Sequence, residues 1–336
     1  MGNGRYTVVS TMKNEGPYIL EWVAHYKALG FDDIVVCTND CEDTTVQILK
    51  RLEELALVHH HATRIGRGGI HRSALRQAWR KPVVREAEWV FVCDVDEFLN
   101  IHVGDGSVRA LVEAAVHHDD TWAVCVPWRI FGPNGITLFR DRLVTRQFTM
   151  AEKPWPANPA AGKFVKSLFR RPDRVKRMGL HLPVLHDEDV PRAKFVLPGG
   201  EDYIVGGVHV AEGPSWAHAQ VNHYALRSLE SFLIKRDRGR ANHMNHTIGL
   251  DYWNRFNHND VEDVSIRRYD ARVAEWLARL HADEKLHFLH RKSVRWHRWK
   301  ARRLRGVPEF KALKFAAMAT MGLGRSADQG AAERAA

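Results

Sequence analysis

The strongest constraint on the fold is a regular alternation of strand and helix patterns over the first 93 residues. Four short β-branched or apolar runs predict strands, at 6–11, 33–38, 57–61 and 89–93. The stretches between them carry apolar residues at helical spacing, and the first stretch has Pro17 at its start and Gly30 at its end. This β-α-β-α-β-α-β order predicts an α/β fold with a mainly parallel sheet.

The pattern changes after residue 101, where strands and helices no longer alternate singly. Helices are predicted at 107–120, 228–242 and 269–294, and strands at 121–131, 162–171 and 202–213. The chain has 336 residues, of which 45% are hydrophobic, which is enough for one large domain with additions. We therefore expect the parallel sheet to be extended by C-terminal strands and helices.

Three carboxylates follow the fourth predicted strand directly, in the sequence Asp94-Val95-Asp96-Glu97. In an open parallel sheet, ligands bind outside the carboxyl ends of the strands. In an extended stretch Asp94 and Asp96 point to one side, while Val95 points away and Glu97 is placed to hydrogen-bond behind them. Clustered carboxylates at a buried strand end need a compensating cation, and hard divalent ions such as Mg²⁺ or Mn²⁺ prefer oxygen ligands. The alternative is an inert, solvated acidic turn.

The longer motifs resemble those of GT-A glycosyltransferases, a Rossmann-like α/β fold. The closest resemblance is to the family 2-like bacterial branch and the related family 92 enzymes. It rests on KNEGPYILEWVAHYKALG, NDCEDTT and CDVDEFL in the first hundred residues, and on NHYALRSLESFLIKRDRG further along the chain. The resemblance implies a hexosyltransferase that uses a nucleotide-diphosphate sugar, with UDP as the expected nucleotide, a Mn²⁺ or Mg²⁺ ion and an inverting mechanism.

The resemblance also implies roles for individual residues. The metal ligands are expected to be Asp94, Asp96 and His223, with His209 as a weaker candidate. Asp94 and Val95 are further expected to contact the donor. The base and ribose of the nucleotide are expected at the ends of the first two strands, at Thr11, Lys13, Asn14, Glu15, Thr38, Asn39 and Asp43. Asn39 stands where many family 2 enzymes carry an aspartate, so the ribose contact can move to Asp40. Asp43 can equally cap the helix that follows it.

The resemblance suggests a division of the chain. A catalytic domain is expected over 1–240, with a nucleotide-binding half at 1–100 and a metal and acceptor half at 101–240. A basic helical segment at 241–315 and a disordered tail at 316–336 complete the chain.

Transfer to an acceptor needs a general base for the acceptor hydroxyl. The candidates are Glu230, Asp187 and Glu188, with Asp189 beside them, and each is equally well explained as a solvated surface carboxylate. Phosphate can be neutralised by Lys163 and Lys166, which alternate on a predicted strand, or by Lys235 and Arg238. The lysines at 163 and 166 also suit a protected edge strand. His71 and Arg72 begin a helix that faces either the phosphates or solvent.

The net charge of +10 is concentrated near the C-terminus. Residues 291–305 hold eight Lys or Arg and no acid, which leaves +2 for the rest of the chain. This distribution argues against a nucleic-acid groove across the fold. Basic residues interleaved with Trp296 and Trp299 suit an anionic membrane surface, and a basic helix on the domain's own surface is the alternative.

The resemblance implies that the acceptor is a glycan or a lipid-linked glycan in polysaccharide biosynthesis. Together with the basic stretch, it leads us to expect a cytoplasmic protein that is peripheral on the inner membrane face. Four scattered cysteines indicate free thiols, and from the residue pattern we expect neither a signal peptide nor a membrane-spanning stretch.

Two other functions fit the acidic motif. A Mg²⁺-dependent phosphotransferase or phosphatase would use Asp94 as nucleophile and Asp96 as acid, although such enzymes place the motif after their first strand. A non-catalytic carbohydrate or nucleic-acid binder would use the acids structurally.

Overall fold

A computed structural model describes residues 4–66, 68–158, 160–170, 172–203, 215–239 and 248–322. The strands are β1 (Tyr6–Met12), β2 (Asp33–Thr38), β3 (His59–Ala62), β4 (Trp89–Val92), β5 (Glu97–Ile101), β6 (Thr121–Ile130), β7 (Met150–Ala151), β8 (Val165–Arg170), β9 (Lys194–Val196), β10 (Ala219–His223) and β11 (Val261–Glu262).

The α-helices are α1 (Ile19–Ala28), α2 (Thr45–Glu54), α3 (Ile70–Trp79), α4 (Pro82–Arg85), α5 (Val108–Ala115), α6 (Val144–Gln147), α7 (Leu229–Arg238), α8 (Leu250–Phe256), α9 (Asp270–Ala282), α10 (Glu284–Arg305) and α11 (Pro308–Thr320). None of the helices among these residues is both long and apolar enough to cross a membrane.

One large sheet organises the molecule, with the strand order β3-β2-β1-β4-β8-β6-β10-β5 and with β9 paired to β6. The first four strands in this order are parallel to one another, β6 is parallel to β9 and β10, and the remaining pairs are antiparallel. The predicted α/β class with a mainly parallel sheet is therefore confirmed. A separate two-stranded sheet joins β7 to β11.

Both faces of the sheet are covered, as its side-chain pattern requires. Val8 and Val36 face the large cluster that includes α1 and α2, whereas Val9 and Val35 face the cluster that includes α3. Because successive side chains of a strand point to opposite faces, a strand covered on both faces is a continuous apolar run. This explains why the run in β1 was recognisable from sequence.

The predicted elements of the first 93 residues all form, most of them with shifted ends. The strand at 33–38 has the predicted bounds. The third helix ends at Trp79, and Pro82 begins a separate short helix after Lys81 adopts an extended backbone. The helix before Gly30 ends there because Gly30 has a φ of +87°, in the left-handed region.

Two strands at one end of the large sheet were missed. The residues after Asp96 form β5, and residues 219–223 form β10, which pairs with it. The strand predicted at 202–213 lies outside the described residues from position 204 onward.

The C-terminal helices pack on the sheet domain. Helix α9 packs on α1, and α10 packs on α2 and α7. Helix α11 continues through Thr320, so the prediction of a disordered tail from residue 316 is wrong for residues 316–320. The reason is tertiary, because Ala317 is buried and the Thr320 hydroxyl accepts a hydrogen bond from the Trp253 indole N–H at 2.9 Å.

Candidate active site

A cleft of about 390 Å³ opens at the carboxyl ends of β1, β2 and β4. The parallel register aligns these ends, since Met12 pairs with Thr38 and Val9 pairs with Val92. Polar residues after each strand therefore reach the same space. The lining comprises Thr11, Met12, Lys13, Glu15, Asn39, Ile70, His71, Asp94, Val95, Asp96, Trp128, Phe164, Lys166, Leu180, His181, His223, Lys235, Arg238, Gly239, Ile248, Tyr252, Arg255 and Phe256.

The acidic motif forms a tight turn between β4 and β5 and is not an extension of the strand. The Glu97 N–H donates to the Asp94 carbonyl at 3.1 Å, and the Asp94 N–H donates to the Glu97 carboxyl group at 2.8 Å. The expected extended backbone is therefore wrong, although the turn still presents Asp94 and Asp96 to the cleft. Glu97 is fully buried beneath them.

A buried lysine holds the first half of the turn. Lys166 lies on β8 and is only 1% exposed, and its ammonium group is 3.1 Å from both the Asp94 and the Glu97 carboxyl groups. Burial raises the pKa of Glu97 to about 8, because the attraction of Lys166 does not fully offset the loss of water. Burial also acts to raise the pKa of Asp94, but the charge of Lys166 outweighs it and holds that pKa below its usual value.

Asp96 is held by groups from two later elements. Its Oδ2 accepts a hydrogen bond from Lys235 of α7 at 2.6 Å, and its Oδ1 lies 3.9 Å from Nε2 of His223. His223 reaches this position because it is paired with Glu97 in the antiparallel β10–β5 ladder. Burial would raise the pKa of Asp96, but Lys235 above all lowers it, whereas burial lowers the pKa of His223 to about 4. At neutral pH the pair is a carboxylate facing a neutral imidazole.

The turn rests on a buried ion network. Glu15 forms ion pairs with Arg227, at 2.7 Å, and with Arg238. Arg227 also donates to the Val95 carbonyl at 3.2 Å, which fixes the middle of the acidic turn. Arg227 has a φ of +55°, an unfavourable backbone conformation for a residue with a side chain, and its guanidinium lies 3.6 Å from the centre of the Tyr18 ring.

The cleft carries a net positive charge. Lys and Arg contribute five side chains to its lining, and Asp and Glu contribute three. Lys166 and Lys235 pair with the carboxylates of the turn, and Arg238 pairs with Glu15. The excess positive charge therefore comes from Lys13 and Arg255, and it makes the lining suited to an anionic ligand.

The residues present fit a divalent ion as part of a larger coordination shell. No group of three or more His, Cys, Asp or Glu side chains within the described ranges is arranged to hold a metal. However, Oδ1 of Asp96 and Nε2 of His223 face each other across 3.9 Å at the wall of an open cleft. Mg²⁺ and Mn²⁺ are commonly held by one or two carboxylates together with substrate phosphate oxygens, so Asp96 is the residue of this pair that best fits such an ion. Asp94 lies in the same lining, but its carboxylate is engaged by Lys166.

The residues predicted to bind the nucleotide divide into two groups. Thr11, Lys13, Glu15 and Asn39 line the cleft, as do Asp94 and Val95. Thr38, Asn14 and Asp43 do not line it. The Thr38 hydroxyl lies 2.9 Å from His60, and Asn14 and Asp43 connect the loops after β1 and β2.

These loop contacts give Asn14 and Asp43 a structural role. The Asn14 side-chain oxygen accepts from the Glu42 N–H at 2.6 Å, and Asp43 accepts from the N–H groups of Gly16 and Thr45, both at 2.9 Å. Asp43 thus accepts a hydrogen bond from the N–H of the first residue of α2, which agrees with the capping alternative.

The predicted base candidates do not reach the cleft, and we correct those assignments. Glu230 is buried elsewhere, where it accepts from the Phe139 N–H at 2.9 Å and from Arg305 Nε at 2.9 Å. The Asp187 side chain is 95% exposed, and its neighbour Glu188 is also exposed, on a surface loop. The sequence around these three acids carries no signal that shows how far they lie from the strand ends.

The other predicted cations also separate. Lys166, Lys235 and Arg238 line the cleft, whereas Lys163 is exposed and precedes β8. The edge-strand alternative for the lysines at 163 and 166 is wrong, because β8 lies between β4 and β6. His71 lines the cleft with its Nδ1 3.3 Å from the Thr11 hydroxyl, Arg72 is exposed, and His209 lies outside the described residues.

An aromatic wall opposite the strand ends was not predicted. It is formed by Trp128, Phe164, Tyr252 and Phe256, with Arg255 over the rings of Phe164 and Phe256 at 5.0 and 5.4 Å. The Trp128 and His223 rings are 4.3 Å apart, so the wall adjoins the acidic turn. These residues come from β6, the segment before β8, and α8, and no local sequence pattern indicates that they converge.

Comparisons with known proteins give only distant likenesses. No family model and no curated protein matches the chain. Among solved structures, S. aureus TarS 1-349 is 14% identical, with 95% of this chain and 88% of that chain covered and a TM-score of 0.35.

Two further structures were solved with a nucleotide and a metal. The mannosyltransferase PcManGT from Pyrobaculum calidifontis, in complex with GDP-Man and Mn²⁺, is 14% identical over 97% of this chain and 89% of that chain, with a TM-score of 0.38. Glucosyl-3-phosphoglycerate synthase from Mycobacterium tuberculosis, in complex with Mg²⁺ and UDP, is 16% identical over 50% and 57%, with a TM-score of 0.27. At such scores these likenesses carry no argument about the activity of this chain.

Proposed function

We propose that the protein is a GT-A glycosyltransferase of the family 2-like branch, related to family 92, and that it transfers a hexose from a nucleotide-diphosphate sugar. One observation carries the proposal. At the carboxyl ends of parallel strands, an ionised Asp96, a neutral His223 and the cation of Lys235 meet in one open, positively charged cleft. This combination suits a diphosphate together with a divalent ion.

The donor is proposed to lie along the strand ends. The nucleoside contacts Thr11, Lys13 and Asn39, and the diphosphate lies towards Lys235 and Arg238. UDP is the nucleotide we expect. The two cations favour the transition state, because negative charge develops on the leaving diphosphate as the bond to the sugar breaks.

A Mn²⁺ or Mg²⁺ ion is proposed to be held by Asp96 and His223, with Asp94 reaching the donor ribose or the ion through water. When bound, such an ion stabilises charge on the departing diphosphate. The chain's own contribution is to keep the two ligands in the required protonation states. Lys235 favours the carboxylate form of Asp96, and burial favours neutral His223.

The acceptor is proposed to be a glycan or a lipid-linked glycan, and the mechanism to be inverting. The aromatic wall supports a saccharide acceptor, because rings at Trp128, Phe164 and Tyr252 offer flat apolar surfaces beside the acidic turn. For inversion, the acceptor hydroxyl has to approach the sugar from the side opposite the diphosphate and give its proton to a base on that side.

We place the enzyme in the cytoplasm, at the inner face of a membrane, in polysaccharide biosynthesis. All four cysteines are unpaired, and Cys37, Cys93 and Cys125 are buried, which agrees with a reducing compartment.

Calorimetry with a panel of nucleoside diphosphates, with and without Mn²⁺, tests the proposal, followed by hydrolysis of the corresponding nucleotide sugars. We expect one diphosphate to bind with a marked Mn²⁺ dependence, and its sugar conjugate to be cleaved at the sugar–phosphate bond. Asp96→Asn should remove the Mn²⁺ dependence, whereas the exposed control Asp187→Asn should keep it.

The alternatives predict different products. Release of inorganic phosphate from phosphomonoesters would instead favour a phosphatase. Saccharide binding without nucleotide binding would favour a non-catalytic binder, and either result would refute the proposal.

A further inference from the structure

The exposed face of α10 is both cationic and aromatic. Phe288, Lys292, Arg295, Trp299 and Arg302 follow at helical spacings of three or four residues, so they lie on one face of the helix. The side chains of Phe288 and Trp299 are 57% and 49% exposed, which is unusual for such large apolar groups. Each of these residues lies about one helical turn from the next, so the face is continuous.

The exposed cations of this face form no close ion pairs in the described part of the chain, while Arg298 attracts the Asp141 carboxylate from a longer distance. Arg291, Lys292, Arg295, Arg298, Arg302 and Arg303 are exposed. None of them forms an ion pair with another residue in the described part of the chain. The neighbouring Lys300 and Arg305 differ, because they point to the body and pair with Asp237 and Glu230. The cations of α10 therefore fall into two sets: Lys300 and Arg305 bind acids of the domain, and those of the exposed face do not.

The opposite face anchors α10 to the domain. Leu286, Leu289, Val294 and Leu304 are buried, and the Leu289 carbonyl accepts a hydrogen bond from the Thr44 hydroxyl at 2.9 Å. His297 is buried on the same side, with Nε2 3.3 Å from the Tyr18 hydroxyl. The helix is thus a fixed part of the enzyme, and the exposed face has a fixed direction relative to the cleft.

We propose that this exposed face, which we call the α10 face and define as Phe288, Arg291, Lys292, Arg295, Arg298, Trp299, Arg302 and Arg303, docks the enzyme on an anionic lipid bilayer. Charge complementarity selects the occupant: the cations attract acidic headgroups, while Phe288 and Trp299 enter the interface between headgroups and acyl chains. Two aromatic side chains spaced by about three turns hold the helix axis parallel to the surface. Docking through this face would account for the membrane location proposed above, and it is independent of the transfer reaction.

Co-sedimentation with vesicles tests the proposal, using phosphatidylcholine alone and phosphatidylcholine mixed with phosphatidylglycerol in equal parts. We expect binding to the mixed vesicles only, with a steep decrease at high salt because exposed charges are screened. Arg295→Gln/Arg302→Gln and Phe288→Ser/Trp299→Ser should each weaken binding at least tenfold. Surface substitutions are preferable to truncation, because the buried face of α10 supports the core.

Matched controls use exposed residues elsewhere. Arg64→Gln/Arg80→Gln removes two exposed cations, and Leu138→Ser removes an apolar side chain that is 48% exposed. Both should bind vesicles like the wild type. All variants should retain nucleotide-sugar hydrolysis, which separates a failure of docking from a failure of the proposed reaction.

Three results would overturn the proposal. The first is no binding to the mixed vesicles at low salt, and the second is equal binding by the α10-face variants and the wild type. The third is binding of single-stranded DNA that the α10-face substitutions abolish while vesicle binding persists, because it would assign the face to nucleic acid.

Discussion

The ion pair between Asp96 and Lys235 can be tested by a double-mutant cycle of Asp96→Asn and Lys235→Met. Both substitutions preserve side-chain size and remove one charge. The side chains are 9% and 18% exposed, and Lys235 also donates to the Ala225 carbonyl at 2.9 Å and to the Tyr252 hydroxyl at 3.0 Å. All three ammonium donors are therefore satisfied. Because both groups are largely buried, removing one charge leaves the other poorly compensated.

The expected magnitude follows from this geometry. Breaking a buried pair by removing one partner costs about 3–5 kcal/mol, and the residual exposure of Lys235 places each single variant near the lower figure, about 3 kcal/mol. The double variant removes both charges and should cost much less than the sum. We expect a coupling free energy of about 2–3 kcal/mol.

Urea unfolding of the four proteins in the cycle gives this coupling. The pair of Lys194 and Asp202 is an exposed control, because its atoms are 3.2 Å apart and its side chains are 30% and 68% exposed. Lys194→Met and Asp202→Asn should couple by about 1 kcal/mol or less. If the Asp96 and Lys235 variants are additive within about 0.5 kcal/mol, the pair does not form in solution and our account of the acidic turn is wrong.

Three further predictions concern single residues. The free energy of unfolding of Glu97→Gln should rise relative to that of the wild type as the pH increases from 4.5 to about 8. The folded-state pKa of Glu97 is raised, so the stability that its proton contributes to the wild type is complete below pH 4.5. That contribution is lost as the pH rises towards 8. Urea unfolding across this range checks the sign, and parallel curves for the two proteins would contradict it. Glu230→Ala should lower the free energy of unfolding by about 1–3 kcal/mol, because the buried Phe139 N–H loses its acceptor, while nucleotide-sugar hydrolysis is unchanged; loss of hydrolysis in a folded variant would restore Glu230 as a catalytic candidate. Arg255→Gln should raise KM for the acceptor and leave donor affinity unchanged, and the opposite pattern in steady-state kinetics would remove Arg255 from the acceptor side.

The sequence allowed the strand-end half of the cleft to be predicted because its signals are local. Apolar runs mark β1, β2 and β4, and a parallel sheet brings their carboxyl ends together whatever the rest of the chain does. Thr11, Lys13, Asn39 and Asp96 could therefore be placed at the cleft from spacing and family motifs.

The remaining half depends on contacts between distant parts of the chain. Lys166 meets Asp94 only because β8 runs antiparallel beside β4, and His223 meets Asp96 only through the β10–β5 register. Glu230 illustrates the converse: it lies in a family-like motif, but its contact with Arg305, 75 positions away, removes it from the cleft.

If the cleft binds a nucleoside diphosphate and Mn²⁺ beside the acidic turn, both should be seen in crystals grown with Mn²⁺ and the tightest-binding nucleoside diphosphate. Anomalous scattering from such crystals locates the manganese. Our account predicts a manganese peak contacting Asp96 and His223, with the diphosphate towards Lys235 and Arg238. Nucleotide bound elsewhere on the molecule, or in the cleft with Mn²⁺ remote from Asp96, would contradict the account.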